Sequence, residues 1–404
     1  MDTHSSNSVG GTASSADRYR VVAAGVCALI LTVGLARFAY TPMLPIMREE
    51  AGLSALAGGW LATINYAGYI VGALLASFIS DLYRKFQLYR LWLIVAVIST
   101  LAMGLTQEVV PWAIWRFLAG MSATAGLLLG SGLVLNWLIR HGHRSELGLH
   151  FTGAGLGIVV SGLAVAAVDG VLGWDEQWLA LGLVGLLFLI PAWIWMPSPG
   201  RVRSQTPLSG PPPPGRGWMA LFMAAYFCAG FGYVVSATFI VAIVERLPLL
   251  EGKGALVWVV IGVAAIPSCF LWDRIAAAWG QMPALLLSYG LQVVSILLPA
   301  LSDGAAANML SAVLYGGTFI GIVNLTLTLI GRSFPLNPAK AMARLTLSYS
   351  VAQIIAPAIA GAIAVQSGSY RGALIVAAWV MGLGMALLVA LMIQNRRHPP
   401  GRAA

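Results

Sequence analysis

The chain has 404 residues, 59% of them hydrophobic and only 9% charged, with a mean hydropathy of +0.85. That composition excludes a water-soluble globule, whose surface it could not solvate. The net charge of +9 is spread over many short clusters, which argues against a nucleic-acid surface and leaves it to be read as loop charge in a membrane protein.

In chain order, Met1 to Asp17 is rich in Ser, Thr and Gly, and residues 1–20 read as a disordered cytoplasmic tail. The apolar run that follows enters Arg37 and two prolines without a small-residue cleavage pattern, so a span is expected and not a signal peptide. Runs near the length an α-helix needs to cross a bilayer recur at roughly 21–44, 56–79, 88–106, 110–138, 148–168, 177–196, 218–243, 254–272, 283–300, 306–330, 344–365 and 371–393. They predict an all-α integral membrane protein with twelve transmembrane helices. Between the sixth and seventh, Pro197 to Gly217 breaks the composition with Pro211 to Pro214 and reads as a semi-rigid cytoplasmic linker. The expected division is an N-terminal six-helix bundle at 21–196, the linker at 197–217, a C-terminal six-helix bundle at 218–393 and a cytoplasmic tail at 394–404. Cys27, Cys228 and Cys269 fall in spans without metal-ligand or redox spacing and read as small apolar fillers, so no metal or cofactor site is expected.

Short cytoplasmic loops collect Lys and Arg, and this sets the orientation. With both termini inside, seventeen of the 23 basic residues fall on the cytoplasmic side and only Arg48, Arg246, Lys253 and Arg371 fall outside. The remaining two, Arg37 and Arg116, stand well inside apolar runs with no carboxylate at their depth. An intramembrane charge normally faces a bundle interior or a wet cavity. At 1.5 Å per residue Arg37 lies ~24 Å and Arg116 ~20 Å from the inner boundary, so the two share a level. Two guanidiniums at one level suit bidentate recognition of a carboxylate or phosphate. The alternative is structural, with bonds to helix carbonyls or to the acids Glu49, Glu50 and Glu108. Both readings stand, and substrate contact is preferred more strongly for Arg37.

Other polar or aromatic residues near that level are candidate substrate contacts: Tyr40, Asn65, Tyr66 and Tyr69 in the first half, and Tyr233, Thr238, Tyr315, Thr318, Asn324 and Gln353 in the second. Any single Tyr is also explained as a packing or interfacial aromatic. Asn65 and Gln353 are the stronger candidates, because an amide in hydrocarbon needs a partner. Asn65, Gly68, Tyr69, Gly72 and Ala76 follow helical spacing and give the second helix a small, polar face. Gly153, Gly157 and Ser161, and likewise Gln353, Pro357 and Gly361, repeat at every fourth residue and are expected to pack one bundle closely on the other, with Pro357 loosening its helix. His150 is the one titratable candidate for proton coupling in the spans; otherwise it is a solvated end residue.

The two halves correspond. Gly34 aligns with Gly230 at an offset of 196 (230 minus 34), and the same offset carries Gly120 to Gly316, Gly157 to Gln353 and Ser161 to Pro357. Asp81 pairs with Asp273 at an offset shorter by four residues. The loop Ser77-Phe78-Ile79-Ser80-Asp81-Leu82-Tyr83-Arg84-Lys85 resembles the signature loop of the major facilitator superfamily, with Ser77 and Arg84 where that family carries glycines. Asp273-Arg274 is similar to its acidic-basic pair, and Arg116-Phe117-Leu118-Ala119-Gly120 to its fourth-helix Arg-x-x-x-Gly motif. Gly34 to Pro45, with Asn65-Tyr66-Ala67-Gly68-Tyr69 and Gly316-Gly317-Thr318-Phe319, resembles the bacterial YbfB/YjiJ subgroup.

The resemblance implies two pseudo-symmetric six-helix bundles that rock about a central cavity, lined mainly by helices one, four, seven and ten, in a bacterial inner membrane. It also implies gate and helix-contact roles for Asp81, Arg84, Lys85, Asp273 and Arg274, and a conformational or coupling role for Arg116. No nucleotide-binding Gly-x-x-x-x-Gly-Lys-Ser/Thr, His-Glu-x-x-His or Gly-x-Ser-x-Gly motif occurs, which removes the usual marks of a pump or an intramembrane enzyme. The expectation is a monomeric secondary active or facilitative transporter of a small organic solute, an anion by preference, embedded in lipid and binding no nucleic acid, with a proton as candidate coupling ion. Efflux of amphipathic or cationic compounds and a non-transporting membrane sensor are the alternatives.

Overall fold

The computed structural model describes residues 15–144, 147–199, 214–244, 254–334, 338–367 and 371–397; the expectations for 1–14, for 200–213 of the linker and for 398–404 lie outside the described residues. Within these the chain forms twelve long helices. They are α1 Ser15–Glu50, α2 Ala55–Phe78, α3 Leu82–Ala102, α4 Val109–Arg140, α5 Gly148–Val168, α6 Trp174–Ile194, α7 Arg216–Val244, α8 Gly254–Trp279, α9 Gln281–Leu301, α10 Ala305–Ser333, α11 Pro338–Ser367 and α12 Arg371–Arg397. Eleven of them, all but α11, are long and apolar enough within the described residues to cross a membrane. Two tail boundaries need correction: Ser15 to Arg20 are the first turns of α1, and α12 continues to Arg397.

Side-chain caps and tight turns set several ends. Ser54 Oγ accepts from Ala57 N–H at 3.1 Å and Asp81 Oδ1 from Arg84 N–H at 2.7 Å, each satisfying a donor that a helix start leaves free. Glu50 Oε2 accepts from Trp174 N–H at 2.7 Å, so the end of α1 caps α6 and does not serve the arginines. Gly280, at φ 96°, is the lone residue between α8 and α9, a backbone state that glycine reaches without a Cβ penalty.

Two helices depart from α-geometry. Ile30–Phe38 of α1 and Ala125–Gly130 of α4 are π-helical, and Ala39 N–H reaches back five residues to Gly34 O at 2.9 Å. The α1 segment ends just before Pro42, whose missing N–H removes a donor from the following turn. π-Segments inside α-helices frequently mark functional sites, and one of these carries Arg37.

The internal repeat is visible as repeated contacts. A Cβ on Gly120 would stand 2.0 Å from Asn65 O, and one on Gly316 would stand 2.2 Å from Ile261 O. Both members of the first pair map onto the second at the offset of 196, so α2 crosses α4 as α8 crosses α10. Glycine is required there because the backbones touch.

Gly157 corrects an expectation. Its Cα lies against Gly34, whose own Cβ would stand 2.3 Å away, and Gly153 faces Val26; this stripe of α5 therefore packs on α1 inside the first half. Gly148, Gly155, Ile158 and Val159 are residues of α5 that meet the second half, against α8. The two halves meet chiefly through α5 with α8 and α2 with α11. Apolar side chains such as Phe78, Leu187, Leu301 and Trp379 stand exposed around the perimeter, where lipid covers them.

Candidate functional site

Between the halves lies a cavity of about 50 Å³, walled by α1, α2, α4, α5, α7, α10 and α11. Arg37 is the one charged residue in its wall, which also contains Val33, Phe38, Tyr69, Leu127, Ala154, Tyr226, Tyr233, Phe319, Ile320, Val323, Leu327, Thr346, Tyr349 and Gln353. The π-segment of α1 delivers Arg37 to this wall.

Arg37 is 5% exposed, and its Nη2 has no hydrogen-bond partner. Its guanidinium carbon sits 4.7 Å from the Tyr69 ring centroid, 5.0 Å from Tyr66 and 5.6 Å from Phe38. Aromatic faces thus partly offset the cost of burying the cation while leaving a donor unused.

Arg116 is differently employed. Its Nη1 donates to the carbonyls of Ala36 at 3.2 Å and Arg37 at 3.3 Å, and its guanidinium lies 4.3 Å from the Tyr40 ring. It lies outside the cavity wall and braces the end of the π-segment. These contacts run to helix carbonyls and a ring, and its Nε has no hydrogen-bond partner.

Several candidates face elsewhere. Tyr40 donates its hydroxyl to Gly58 O at 2.9 Å, tying α1 to α2. Asn65 Nδ2 donates to Arg116 O at 2.8 Å, across the α2–α4 crossing. Thr318 Oγ1 donates to Gln292 Oε1 on α9, and Tyr315 Oη to Tyr233 O at 3.3 Å. These four stand near the expected depth but on helix faces turned from the cavity. Tyr315 and Phe319 stack at 4.9 Å, and Tyr233 stacks on both, so Tyr315 supports the wall from behind. Tyr69, Tyr233 and Gln353 do line the cavity, with Tyr66 beside Arg37; the side chains of Thr238 and Pro357 lie outside the described residues.

Sequence reasoning missed Tyr226, Thr346 and Tyr349. A signal was present: Thr346, Tyr349 and Gln353 stand three and four residues apart on α11, and Tyr226 is two turns from Tyr233 on α7, which puts each set on one face.

The residues expected to act as gates lie at the face where the described chain begins and ends, at Ser15 and Arg397. Asp273 Oδ2 accepts from Gly148 N–H at 2.7 Å and its Oδ1 from Asn324 Nδ2 at 2.8 Å, pinning the start of α5 to α8 and α10. Asn324 thus bonds Asp273 and is not part of the cavity wall. Lys340 donates to Ser80 Oγ at 3.3 Å, joining α11 to the loop before Asp81, while Lys85 is buried at 1% exposure. Arg84 contributes its backbone N–H to the Asp81 cap, and the Arg274 guanidinium lies 4.5 Å from the Phe270 ring. A Cβ on Gly331 of α10 would stand 2.7 Å from Leu135 of α4, a further contact across this face. On the other side of the cavity Phe38 meets Trp258 edge to face at 5.8 Å.

His150 is 1% exposed and no solvated end residue. Its Nε2 bonds Ser131 Oγ at 2.8 Å, and Ser131 Oγ in turn meets Leu127 O, at 2.8 Å, in the π-segment of α4. Nδ1 abuts Gly25 on α1, where a Cβ would stand 2.2 Å away. Among the described residues no group of three His, Cys, Asp or Glu is placed to hold a metal ion.

Comparison with known proteins agrees with this architecture. The family model described as uncharacterised MFS-type transporter YbfB matches residues 29–391. Curated relatives include solute carrier family 22 member 7 of Bos taurus, 29% identical over 184 residues, covering 41% of this chain and 31% of that protein. The uncharacterized MFS-type transporter YceJ of Bacillus subtilis is 23% identical over 197 residues, covering 45% of this chain and 46% of the relative. The chain thus spans less than half the length of the curated relatives it matches. Among solved structures, the human organic anion transporter MFSD10 superposes with a TM-score of 0.72 at 14% identity, over 92% of this chain and 99% of that one. The nucleoside transporter NupG does so with a TM-score of 0.65 at 10% identity, over the same shares. At such identities these two likenesses establish the fold alone. The chain is a multi-pass membrane protein and belongs to the YbfB-type family of major facilitator superfamily transporters.

Proposed function

We propose that this protein carries a small organic anion across the membrane by alternating access, as a secondary active or facilitative transporter. The observation that carries the reading is Arg37, a buried cation in the wall of the cavity between the halves, with an unpaired Nη2 and no carboxylate in that wall. An anion arriving there exchanges its water for a charge-assisted pair and relieves an unmatched donor. A cation meets the same arginine as repulsion, which counts against the efflux reading despite the tyrosine walls.

The moving units are the two six-helix bundles at 21–196 and 218–393. The contacts of Asp273 and Lys340 hold one face shut, and Phe38 on Trp258 covers the other side, so the small cavity is a nearly occluded stage of the cycle. A space of about 50 Å³ holds one or two waters. Loading a solute therefore requires the walls to separate, which links binding to movement. The face bearing Asp81, Arg84, Lys340 and the outer ends of α1 and α12, at Ser15 and Arg397, is the basic one, and we place it in the cytoplasm of a bacterial cell, with the protein monomeric in the inner membrane. The cavity wall has neither carboxylate nor histidine, so a coupling proton would act through His150 one layer away.

Counterflow uptake by proteoliposomes loaded with candidate anions tests the reading: uptake is expected with the wild type and lost in Arg37→Ala. Uptake of cations alone would overturn it. Orientation has a separate test, since a cytoplasm-only reporter fused within 197–217 must be active.

A further inference from the structure

The charge of the cavity is confined to one end. Arg37 stands beside Phe38, and both Arg37 and Gln353 of the wall are almost fully buried with an unpaired polar atom, Nη2 in one and Oε1 in the other. Away from Arg37 the wall combines the apolar Val33, Leu127, Ala154 and Leu327 with the hydroxyl-bearing Tyr226, Thr346 and Tyr349. The wall extends seven residues along α11, from Thr346 to Gln353, which is ~10 Å of helix.

Among the described residues one cation, Arg37, reaches this space. Arg116 is committed to the carbonyls of Ala36 and Arg37 and stands outside the wall. A dianion would leave its second charge without a cation, among side chains whose polar groups are the neutral hydroxyls of Tyr226, Thr346 and Tyr349, and a buried charge without a counter-charge costs more than such hydrogen bonds return. An uncharged tail in the same place gains instead by leaving water.

Resting on the anion reading above, we infer that the solute is a monocarboxylate with an apolar body of about 10 Å or less. Its carboxylate pairs with Arg37, and its body points toward Leu127 and Leu327. Tyr66 and Tyr69 crowd the cation, so the unpaired Nη2 is the donor that a carboxylate oxygen meets.

The test is binding of straight-chain acids from acetate to decanoate to the purified full chain, read by the melting transition and by calorimetry. The same acids on Arg37→Ala give the baseline for partition into detergent. Affinity above that baseline is expected to rise about fourfold per added methylene, the transfer gain of one buried CH₂, and to stop rising when the body outgrows the wall. Leu327→Asn is expected to reduce that gain per methylene, and Arg37→Lys to weaken every acid while leaving the melting transition cooperative. Adipate, suberate or inorganic phosphate binding as tightly as the monoacids, still dependent on Arg37, would overturn this inference and leave the anion reading intact. Binding by tetraphenylphosphonium and by no anion would overturn both. A folded protein that binds no acid of the series also overturns it.

Discussion

Arg116 donates its Nη1 to the backbone carbonyl of Arg37 at 3.3 Å, so one intramembrane arginine holds the helix that presents the other. The two charges share a level and divide the labour: each keeps one unpaired donor, Nη2 of Arg37 and Nε of Arg116, but Arg37 stands in the cavity wall while Arg116 Nη1 serves carbonyls at the end of the π-segment.

The first prediction separates these roles. Arg37→Ala removes a cavity group and is expected to fold normally while anion affinity falls roughly 30-fold or more, the usual cost of truncating one member of a buried charged pair. Arg116→Ala strips donors from two buried carbonyls and is expected to lower stability by about 1 to 3 kcal/mol, seen as reduced melting temperature and yield. Equal effects of the two substitutions on melting would contradict the division.

Gly148 is the weak point of the closed face. A Cβ there would stand 2.2 Å from Asp273 Oδ2 and 2.8 Å from Cys269 O, with no space for either helix to keep its place. Gly148→Ala is expected to break the bond from its N–H to Asp273 and open that face. Spin labels on the ends of α4 and α10 nearest Leu135 and Gly331 should report a longer distance in the variant. An unchanged distance distribution would show that this bond does not hold the gate.

Gly34 and Gly157 test packing inside one half. Gly34→Val would drive branched carbon into the Gly157 backbone, where even a Cβ stands 2.3 Å away. Overpacking costs about 1 to 3 kcal/mol where neighbours can shift, and here the neighbour is backbone. Folded protein is expected to be scarce, whereas Gly382→Ala, which meets nothing within 4 Å, should accumulate as wild type. Size-exclusion yield after membrane extraction measures both.

His150→Gln keeps a polar group near Ser131 but loses the imidazole bond. Because His150 is absent from the cavity wall, anion binding is expected to persist while stability drops by about 1 to 3 kcal/mol. Counterflow with and without a pH gradient reads its second role: loss of any gradient effect in the variant makes His150 the coupling group, and an unchanged effect makes it structural.

Depth was legible in the sequence and facing was not. Arg37 could be found because a charge inside an apolar run must be accommodated, and the run itself measures how deep it sits. Tyr40, Asn65 and Thr318 were at suitable depths, yet each is turned toward a neighbouring helix whose position depends on the whole bundle. The repeat at 196 carried more than local motifs did, since it placed Gly120 and Gly316 at matching crossings. Its converse failed at Gly157: the four-residue stripe was real, but the helix it meets is α1 and not one of the second half. The π-segments were invisible because a one-residue change in the hydrogen-bond ladder leaves no hydrophobic period to read.

The measurement that most directly tests the central claim is the change in melting temperature of the wild type and Arg37→Ala across one panel of small organic anions and cations, since a ligand of the folded state raises its apparent stability. The account predicts that at least one anion stabilises the wild type and leaves Arg37→Ala unmoved. Stabilisation by cations alone, or by anions equally in both proteins, would contradict it.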